Sequence, residues 1–358
     1  MHPKEADPTT HRVRTITRRS LLVGLPLAAT GFALRGNPPG AAVVADADRA
    51  SDRVLRPWGA LPAEARGGTG VTVTDRGEVL LLHRGGAGFA ATSPLAVDPV
   101  VVLDAATGEV RGTWGAGRFT APHAISSDRR GRLWITDVTT NEVTVCRPDG
   151  TPDRTIGHDY GFGLDTCLAV RNELTNLPCT GDPYIFARPT DVAVAPDDLA
   201  YVADGYRNSR VARFDGDRFT AEWGALGDGA GEFAIPHGIA LRRNGDVVVA
   251  DRRNARVQVF DRDGRHLVTH ASPEIGRPYD VAVGPADTLY VLDGGDALDV
   301  AGGQRRGYVV SLADNGSVTG RWALADQSAD PHQLAVGPGG ELYAAALTGP
   351  PLWRWAPA

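Results

Sequence analysis

Short runs of alternating apolar and polar residues recur along the chain, separated by clusters rich in glycine, proline, aspartate and asparagine. Alternation with a period of two predicts half-buried β-strands, and the clusters predict turns. One pattern occurs five times: a proline opens a strand, and a second strand follows after a turn. The five copies begin at Pro122, Pro189, Pro236, Pro278 and Pro331. A sixth, weaker copy covers residues 70–83.

Each copy continues into further predicted strands, and the fourth strand ends near a tryptophan at Trp114 and at Trp223. Four strands per repeat, with copies 42 to 67 residues apart, are typical of β-propeller blades. The sequence therefore predicts an all-β fold, a six-bladed β-propeller over residues 48–358. Residues 56–59 repeat the fourth-strand pattern before the first blade, so we expect them to complete the last blade and remove a sheet edge.

Residues 1–47 have the pattern of a targeting segment. Arg18 and Arg19 precede an apolar stretch from Leu21 to Leu34, which is too short to cross a bilayer. Small residues suited to cleavage follow this stretch. We therefore predict a twin-arginine-type signal peptide and linker, with the mature protein exported from the cytoplasm. A chance arginine pair in a terminal segment is the alternative.

Charge excludes one class of partner. The formal net charge is −6, and residues 1–47 contain six basic and three acidic side chains, so the remainder carries −9. A domain of that charge should repel polyphosphate, and we expect no nucleic-acid partner. We also expect no stable membrane span and a monomer.

The chain has three cysteines. Cys167 and Cys179 belong to one segment that we predict to be irregular, residues 165–183, where a disulfide could close a small loop. Disulfides persist outside the cytoplasm, although two free thiols are the alternative. Cys146 falls on a strand pattern and is predicted to be a small buried apolar residue.

Three histidines share one position in the repeat. His123, His237 and His332 each follow the proline that opens a strand, in predicted blades two, four and six. Alternate blades of a six-fold ring are about 120° apart, so the three imidazoles should converge at one channel mouth. Three histidines with an open fourth position form a catalytic zinc site, although imidazole also suits copper, iron and nickel. Structural histidines that cap strand ends are the alternative.

The turns after the second strands should face the same mouth. Tyr206 and Arg252 hold matching places in two of these turns, and Arg84 follows the second strand of the first repeat. Arginine binds carboxylates through two parallel hydrogen bonds, and a tyrosine beside a metal can act as a base. A rim aromatic and two surface charges are the plainer interpretation of these residues.

These motifs together resemble peptidyl-α-hydroxyglycine α-amidating lyase, the second catalytic domain of the peptide-amidating enzyme, which is built from NHL-type repeats. The resemblance extends from about Val71 to Tyr343, nearly the whole mature chain. It is carried by His83-Arg84-Gly85, the three Pro-His pairs, and residues 204–210 and 250–254.

The resemblance implies zinc bound by His123, His237 and His332, with Tyr206, Arg84 and Arg252 as catalytic residues. The implied reaction cleaves the C–N bond of an N-acyl-α-hydroxyglycine, a small or peptide substrate with a carboxylate, to an amide and glyoxylate.

The resemblance also implies a structural calcium held partly by the backbone of Val71 and Ile125. The family's acidic calcium ligand follows the third histidine, where this chain has Gln333. Arg207 stands where the family has a cysteine, and the longer segment 157–185 could cover the mouth.

Two other functions are compatible with this fold class. One is a metal-dependent propeller lactonase or hydrolase, whose site would centre on acidic and asparagine ligands rather than on histidines. The other is a non-catalytic NHL propeller that binds a partner or ligand at its channel mouth. A metal assay that distinguishes zinc from calcium discriminates among the three.

Overall fold

The computed structural model describes residues 53–171, 177, 179, 186–294 and 307–357. The predicted signal peptide and linker, residues 1–47, lie outside this range, so export stays a prediction.

Four antiparallel sheets are each built from four consecutive strands. We call them units 1 to 4. Unit 1 comprises β2 (Gly68–Thr74), β3 (Glu78–His83), β4 (Val100–Asp104) and β5 (Val110–Trp114). Unit 2 comprises β6 (Pro122–Ser127), β7 (Leu133–Asp137), β8 (Glu142–Cys146) and β9 (Pro152–Gly157). Unit 3 comprises β10 (Asp191–Val194), β11 (Leu199–Asp204), β12 (Arg210–Asp215) and β13 (Arg218–Trp223). Unit 4 comprises β14 (Pro236–Leu241), β15 (Val247–Asp251), β16 (Arg256–Phe260) and β17 (His266–His270).

The other eight strands form one sheet, whose two halves we call units 5 and 6. Unit 5 comprises β18 (Pro278–Val283), β19 (Leu289–Asp293), β20 (Tyr308–Leu312) and β21 (Val318–Leu324), with a short 3-10 turn at Pro285–Asp287. Unit 6 comprises β22 (Pro331–Val336), β23 (Leu342–Ala346), β24 (Leu352–Trp355) and, from the start of the chain, β1 (Val54–Pro57).

The strand β1 closes the molecule. It pairs antiparallel with β24 through Arg56 and Pro57, as the repeated fourth-strand pattern predicts. It also pairs in parallel with β21 through Val54 and Leu55, which the sequence does not predict. Because β1 lies between two outer strands, it merges the last two units into one eight-stranded sheet, where six separate blades are predicted.

The first strand of every unit lines a central channel. Neighbouring first strands contact one another around a closed ring, in the order β2, β6, β10, β14, β18, β22 and back to β2. The second strands lie one layer further out and are apolar and buried along almost their whole length, as β7 and β15 show. The fourth strands are the outermost, and β5 is largely exposed. Side chains from adjacent units pack between the sheets; Trp134 of unit 2, for example, shares a cluster with Phe214 of unit 3.

One element departs from the predicted all-β pattern. Overlapping the start of the predicted irregular segment, residues 165–183, the structure has an α-helix, α1 (Phe162–Arg171). A disulfide joins Cys167 of this helix to Cys179, and Cys146 is a buried free thiol. None of the described helices is long and apolar enough to cross a membrane.

Closure through β1 can be tested by shortening one buried side chain. Leu55 is fully buried in the cluster shared by units 5 and 6. Leu55→Ala should lower the free energy of unfolding by about 2–5 kcal/mol, since it leaves a cavity between units 5 and 6. The adjacent exposed residue provides the control, because Arg56→Ala should change it by no more than about 0.5 kcal/mol. Urea unfolding measures both, and equal effects would contradict a closing role for β1.

Candidate metal centre

Each of the three predicted histidines is the second residue of a first strand, in units 2, 4 and 6. The strand register shifts at this point in both β6 and β14, and β22 has the same shift. Bulges of this kind re-aim a side chain, and here the imidazoles turn into the channel. Their ring centroids form a nearly equilateral triangle with sides of 4.9, 4.5 and 5.0 Å, for the pairs His123–His237, His123–His332 and His237–His332.

The orientation of each ring is fixed by a backbone carbonyl of the next unit. The Nδ1 atom of His123 lies 2.6 Å from the carbonyl oxygen of Thr190, and that of His332 lies 2.6 Å from Thr69. The Nδ1 atom of His237 lies 2.7 Å from the carbonyl of Tyr279. A carbonyl can only accept, so each Nδ1 carries the proton and each Nε2 keeps a free lone pair. This is the tautomer in which imidazole binds a metal through Nε2.

Burial keeps all three rings neutral. It lowers the pKa of His332 to about 3 and those of His123 and His237 well below the usual value. The neighbouring rings and arginines lower the latter two further. Metal ligands must be deprotonated, and one nitrogen from each ring lies within 4.8 Å of the others. The cluster could therefore hold a metal ion, and its donor set is compatible with zinc.

The side chain of Tyr206 lies next to the three histidines, on the side of their Nε2 atoms. Its hydroxyl oxygen lies 3.0 Å from the Nε2 atoms of both His123 and His237. Phe89, from the loop between β3 and β4, packs edge-on against the phenol ring with centroids 5.0 Å apart. The phenol oxygen is thus held beside the lone pairs on which a metal would sit.

Two arginines complete the mouth. The Nε of Arg84 donates to the carbonyl of Pro122 at 3.0 Å, and its buried Nη2 has no hydrogen-bond partner among the described residues. Arg252 lies flat on the ring of Tyr279, with its guanidinium carbon 3.7 Å from the centroid, and donates to that hydroxyl. Both positive charges act on the imidazoles, so the pocket favours an anion.

The three predicted mouth residues occupy one backbone position; the sequence predicts this for Tyr206 and Arg252, and the structure adds Arg84. The N–H groups of Arg84, Tyr206 and Arg252 each donate to a carbonyl one to three residues before a first strand. The acceptors are the carbonyls of Gly67 at 3.2 Å, Arg188 at 3.4 Å and Ile235 at 3.2 Å. All three acceptors have positive φ, at 67°, 61° and 58°. That conformation is unusual for arginine and isoleucine, and strained residues of this kind cluster at functional sites.

Two aspartates hold the turns that carry these residues, and sequence reasoning missed both. Asp204 accepts from the N–H of Ala187 and from the side chains of Asn208 and Arg210. Asp251 has matching partners in unit 4, which are Ala234, Asn254 and Arg256. The available signal was the repeated order of an aspartate followed by Asn-x-Arg. Gly205 is required as well, since a Cβ there would lie 1.8 Å from the carbonyl oxygen of Pro236.

Two buried carboxyls lie below the imidazoles and were also missed. Asp191 and Asp280, together with the three histidines, line a small cavity in the channel. Burial raises the pKa of Asp191 to about 7. Burial, and then the negative charge of Asp191, raises that of Asp280 well above its usual value. The two carboxyls therefore oppose each other's ionisation.

The helix α1 lies beside the turn of Tyr206. Asp165 pairs with Arg188 at 3.3 Å and with Arg207 at 3.6 Å, and Arg171 donates to Asn208. Arg207 stands where the family resemblance implies a cysteine. It is held here by Asp165 of the helix α1.

Comparison with known proteins identifies the repeats. The NHL repeat family matches residues 186–214 and 233–260, which contain strands of units 3 and 4. The fold is therefore an NHL-type propeller.

The named relatives include peptide-amidating enzymes. The chain is 29% identical over 280 residues to peptidyl-glycine α-amidating monooxygenase B of Xenopus laevis, covering 74% of this chain and 29% of the relative. It is 27% identical over 260 residues to peptidyl-α-hydroxyglycine α-amidating lyase 2 of Drosophila melanogaster, covering 70% of this chain and 58% of the relative. The chain thus spans less than a third of the first and just over half of the second. The predicted resemblance to this lyase family is confirmed.

Among solved structures, a streptogramin B lyase superimposes with a TM-score of 0.56 at 14% identity, covering 82% of this chain and 94% of that one. At this identity the match supports the propeller fold alone.

The opposed carboxyls predict a pH effect on stability. The folded-state pKa values are raised above the ordinary value of about 3.9, so the folded chain retains protons that the unfolded chain releases. Their contribution to the free energy of unfolding should therefore fall as pH rises from about 4 to 7. Asp280→Asn removes the repulsion. The free energy of unfolding of this variant should therefore fall less steeply than that of wild type as the pH rises from about 4 to 7.

The buried histidines have the opposite dependence, so the variant must be compared with wild type by urea unfolding at each pH. Asp217→Asn, at an exposed position, is the matched control and should follow wild type. If Asp280→Asn also followed wild type across this range, the two carboxyls would not be coupled.

Proposed function

We propose that this chain, a homologue of the peptidyl-α-hydroxyglycine α-amidating lyases, is a zinc-dependent carbon–nitrogen lyase. Its substrate would be an N-acyl-α-hydroxyglycine, which it would cleave to an amide and glyoxylate. The relatives named as lyases support the enzyme class. The observation that carries the reaction is the placement of the Tyr206 hydroxyl 3.0 Å from two metal-binding nitrogens, with two arginines at the same mouth.

The residues present fit a zinc ion. His123, His237 and His332 offer three neutral Nε2 lone pairs, and three histidines with an open position are a catalytic zinc set. When bound, zinc would supply Lewis-acid polarisation of the substrate hydroxyl.

Tyr206 would act as the general base. As phenolate, its oxygen would take the proton of the α-hydroxyl group. The carbon–oxygen bond then becomes the aldehyde C=O of glyoxylate, and the carbon–nitrogen bond breaks with its electron pair passing to nitrogen. That nitrogen would take the proton that Tyr206 had accepted, and the amide would be released. The edge-on contact with Phe89 restrains the phenol throughout.

Arg84 and Arg252 would bind the substrate carboxylate. The buried Nη2 of Arg84 would gain the acceptor that it lacks among the described residues. The ring of Tyr279 fixes the plane of the Arg252 guanidinium. A pair of guanidiniums orients a carboxylate by charge-assisted hydrogen bonds, which would bring the adjacent carbon toward the imidazoles and the phenol.

The two alternative functions have less support. A lactonase site should present acidic and asparagine ligands at the mouth, whereas this mouth presents imidazoles; the carboxyls of Asp191 and Asp280 lie below them. A purely binding propeller would not require three imidazoles with converging lone pairs. When the two halves of the eight-stranded sheet are taken as one blade each, the histidines fall on alternate blades of six. Export and a monomeric state stay predictions.

Removing the phenol oxygen tests the proposed base. Tyr206→Phe in the zinc-loaded protein should lower kcat for glyoxylate release from an N-acyl-α-hydroxyglycine about 10²–10⁴-fold, the range typical for a lost general base. The zinc content should stay at the wild-type level, since the histidines keep their carbonyl partners.

Tyr201→Phe is the matched control. Tyr201 is in the same unit, but its hydroxyl bonds to the carbonyl of Arg262, so its loss should leave kcat unchanged. Wild-type turnover by Tyr206→Phe would refute the role of Tyr206. No glyoxylate from wild-type protein that carries zinc would refute the proposed reaction.

A further inference from the structure

Below the histidines, six backbone N–H groups point into the channel, one from each first strand. They occupy one repeat position and belong to Val71, Ile125, Val192, Ile239, Val281 and Leu334. A first strand has no neighbouring strand on its channel side, so these donors need side-chain acceptors. Buried N–H groups without an acceptor are rare because they cost free energy.

Three side chains accept all six bonds, two each. Asp191 accepts from Val192 and Ile239 at 2.8 and 3.0 Å. Asp280 accepts from Val281 and Leu334 at 2.8 and 2.7 Å. The third acceptor is the Oε1 atom of Gln333, which receives Val71 at 3.0 Å and Ile125 at 3.1 Å.

Small residues at the matching positions of the other units make room for these side chains. Units 1, 2 and 4 have Gly70, Ala124 and Gly238 there. A Cβ on Gly70 would lie 2.6 Å from the Oε1 of Gln333, and a Cβ on Gly238 would lie 2.1 Å from a carboxyl oxygen of Asp280. The polar side chains and the gaps they fill are therefore matched across the channel.

Gln333 forms hydrogen bonds with several units. From unit 6 its Oε1 reaches units 1 and 2, and its Nε2 donates to Asp191 of unit 3 at 3.2 Å. One buried amide thus connects four of the six units. It follows directly after His332, whose Nδ1 is bonded to unit 1, so it also stiffens the junction that orients this imidazole.

The family's calcium does not fit this arrangement. Calcium prefers six to eight oxygen ligands with free lone pairs, mainly from carboxylates and carbonyls. The carbonyl oxygen of an amide has two lone pairs, and at Gln333 both receive N–H groups. The amide nitrogen has only donors. Two N–H dipoles that converge on one oxygen also favour a negative or neutral acceptor there rather than a cation.

We propose that Gln333 takes the place of the family's structural calcium, so that this protein closes its channel with a hydrogen-bonded amide and needs no calcium. The inference concerns the scaffold and does not depend on the proposed lyase reaction.

The test compares zinc-loaded wild type with Gln333→Asp after dialysis against metal-stripped buffer that contains zinc, with and without added calcium chloride. Zinc is held constant because chelators of calcium also remove zinc. Wild type should retain no stoichiometric calcium by elemental analysis, and its Tm should be the same in both buffers. Gln333→Asp places a third carboxyl beside Asp191 and loses the Nε2 donor. Its Tm without calcium should fall by roughly 4–8 °C, and added calcium should restore it with about one ion bound per chain.

Gln333→Glu is the matched control for length and acceptor capacity. It can still accept from Val71 and Ile125 but cannot donate to Asp191, so its Tm should also fall. Added calcium should restore less of this loss than in Gln333→Asp, since the glutamate side chain is longer than aspartate and fills the space of the ion. About one calcium per wild-type chain, with a lower Tm when calcium is withheld, would overturn the proposal. So would a Gln333→Asp protein that binds no calcium. If that variant does not fold, the wild-type measurements decide alone.

Discussion

The hydrogen bond from each histidine Nδ1 to the carbonyl of the neighbouring unit is the interaction on which the site depends. Each bond spans two neighbouring units, and the bond from His332 to Thr69 joins unit 6 to unit 1, so all three form together only when the ring of first strands has closed. It also selects the tautomer, because a carbonyl cannot donate, and it thereby turns three Nε2 lone pairs toward one point. Folding and preparation of the candidate metal site are in this sense the same event.

The groups on the two sides of the imidazoles have different electrostatic roles. Burial and the two arginines keep the rings uncharged on the mouth side, which suits both a metal and an anionic substrate. On the opposite side, six backbone N–H groups would otherwise lack an acceptor. Their hydrogen bonds are accepted by Asp191, Asp280 and Gln333. Gln333 is neutral where the family has an acid, which limits the negative charge beneath the metal centre to two coupled carboxyls. The channel is thus held together by hydrogen bonds both above and below the cavity.

Much of this could be predicted from the sequence, because the repeat makes position meaningful. Three Pro-His pairs in alternate copies predict the histidine cluster, and the pattern at residues 56–59 predicts closure. What could not be predicted depends on contacts between repeats. The parallel pairing of β1 with β21 leaves no trace in the strand pattern, and the helix α1 is too short to show a clear period. The carbonyl partners of the histidines and the acceptors for six N–H groups are tertiary contacts, so Asp191, Asp280, Phe89 and Tyr279 had no visible role.

Elemental analysis of the purified protein, supplied with zinc and then freed of unbound metal, tests the central claim that three carbonyl-held imidazoles bind one metal. Wild type and His266→Ala, a histidine on the outer strand β17, should each carry about one zinc per chain. His237→Ala should carry almost none, because two imidazoles do not make a structural or catalytic zinc set. Equal zinc in His237→Ala and wild type, or no zinc in any of the three proteins, would contradict the account.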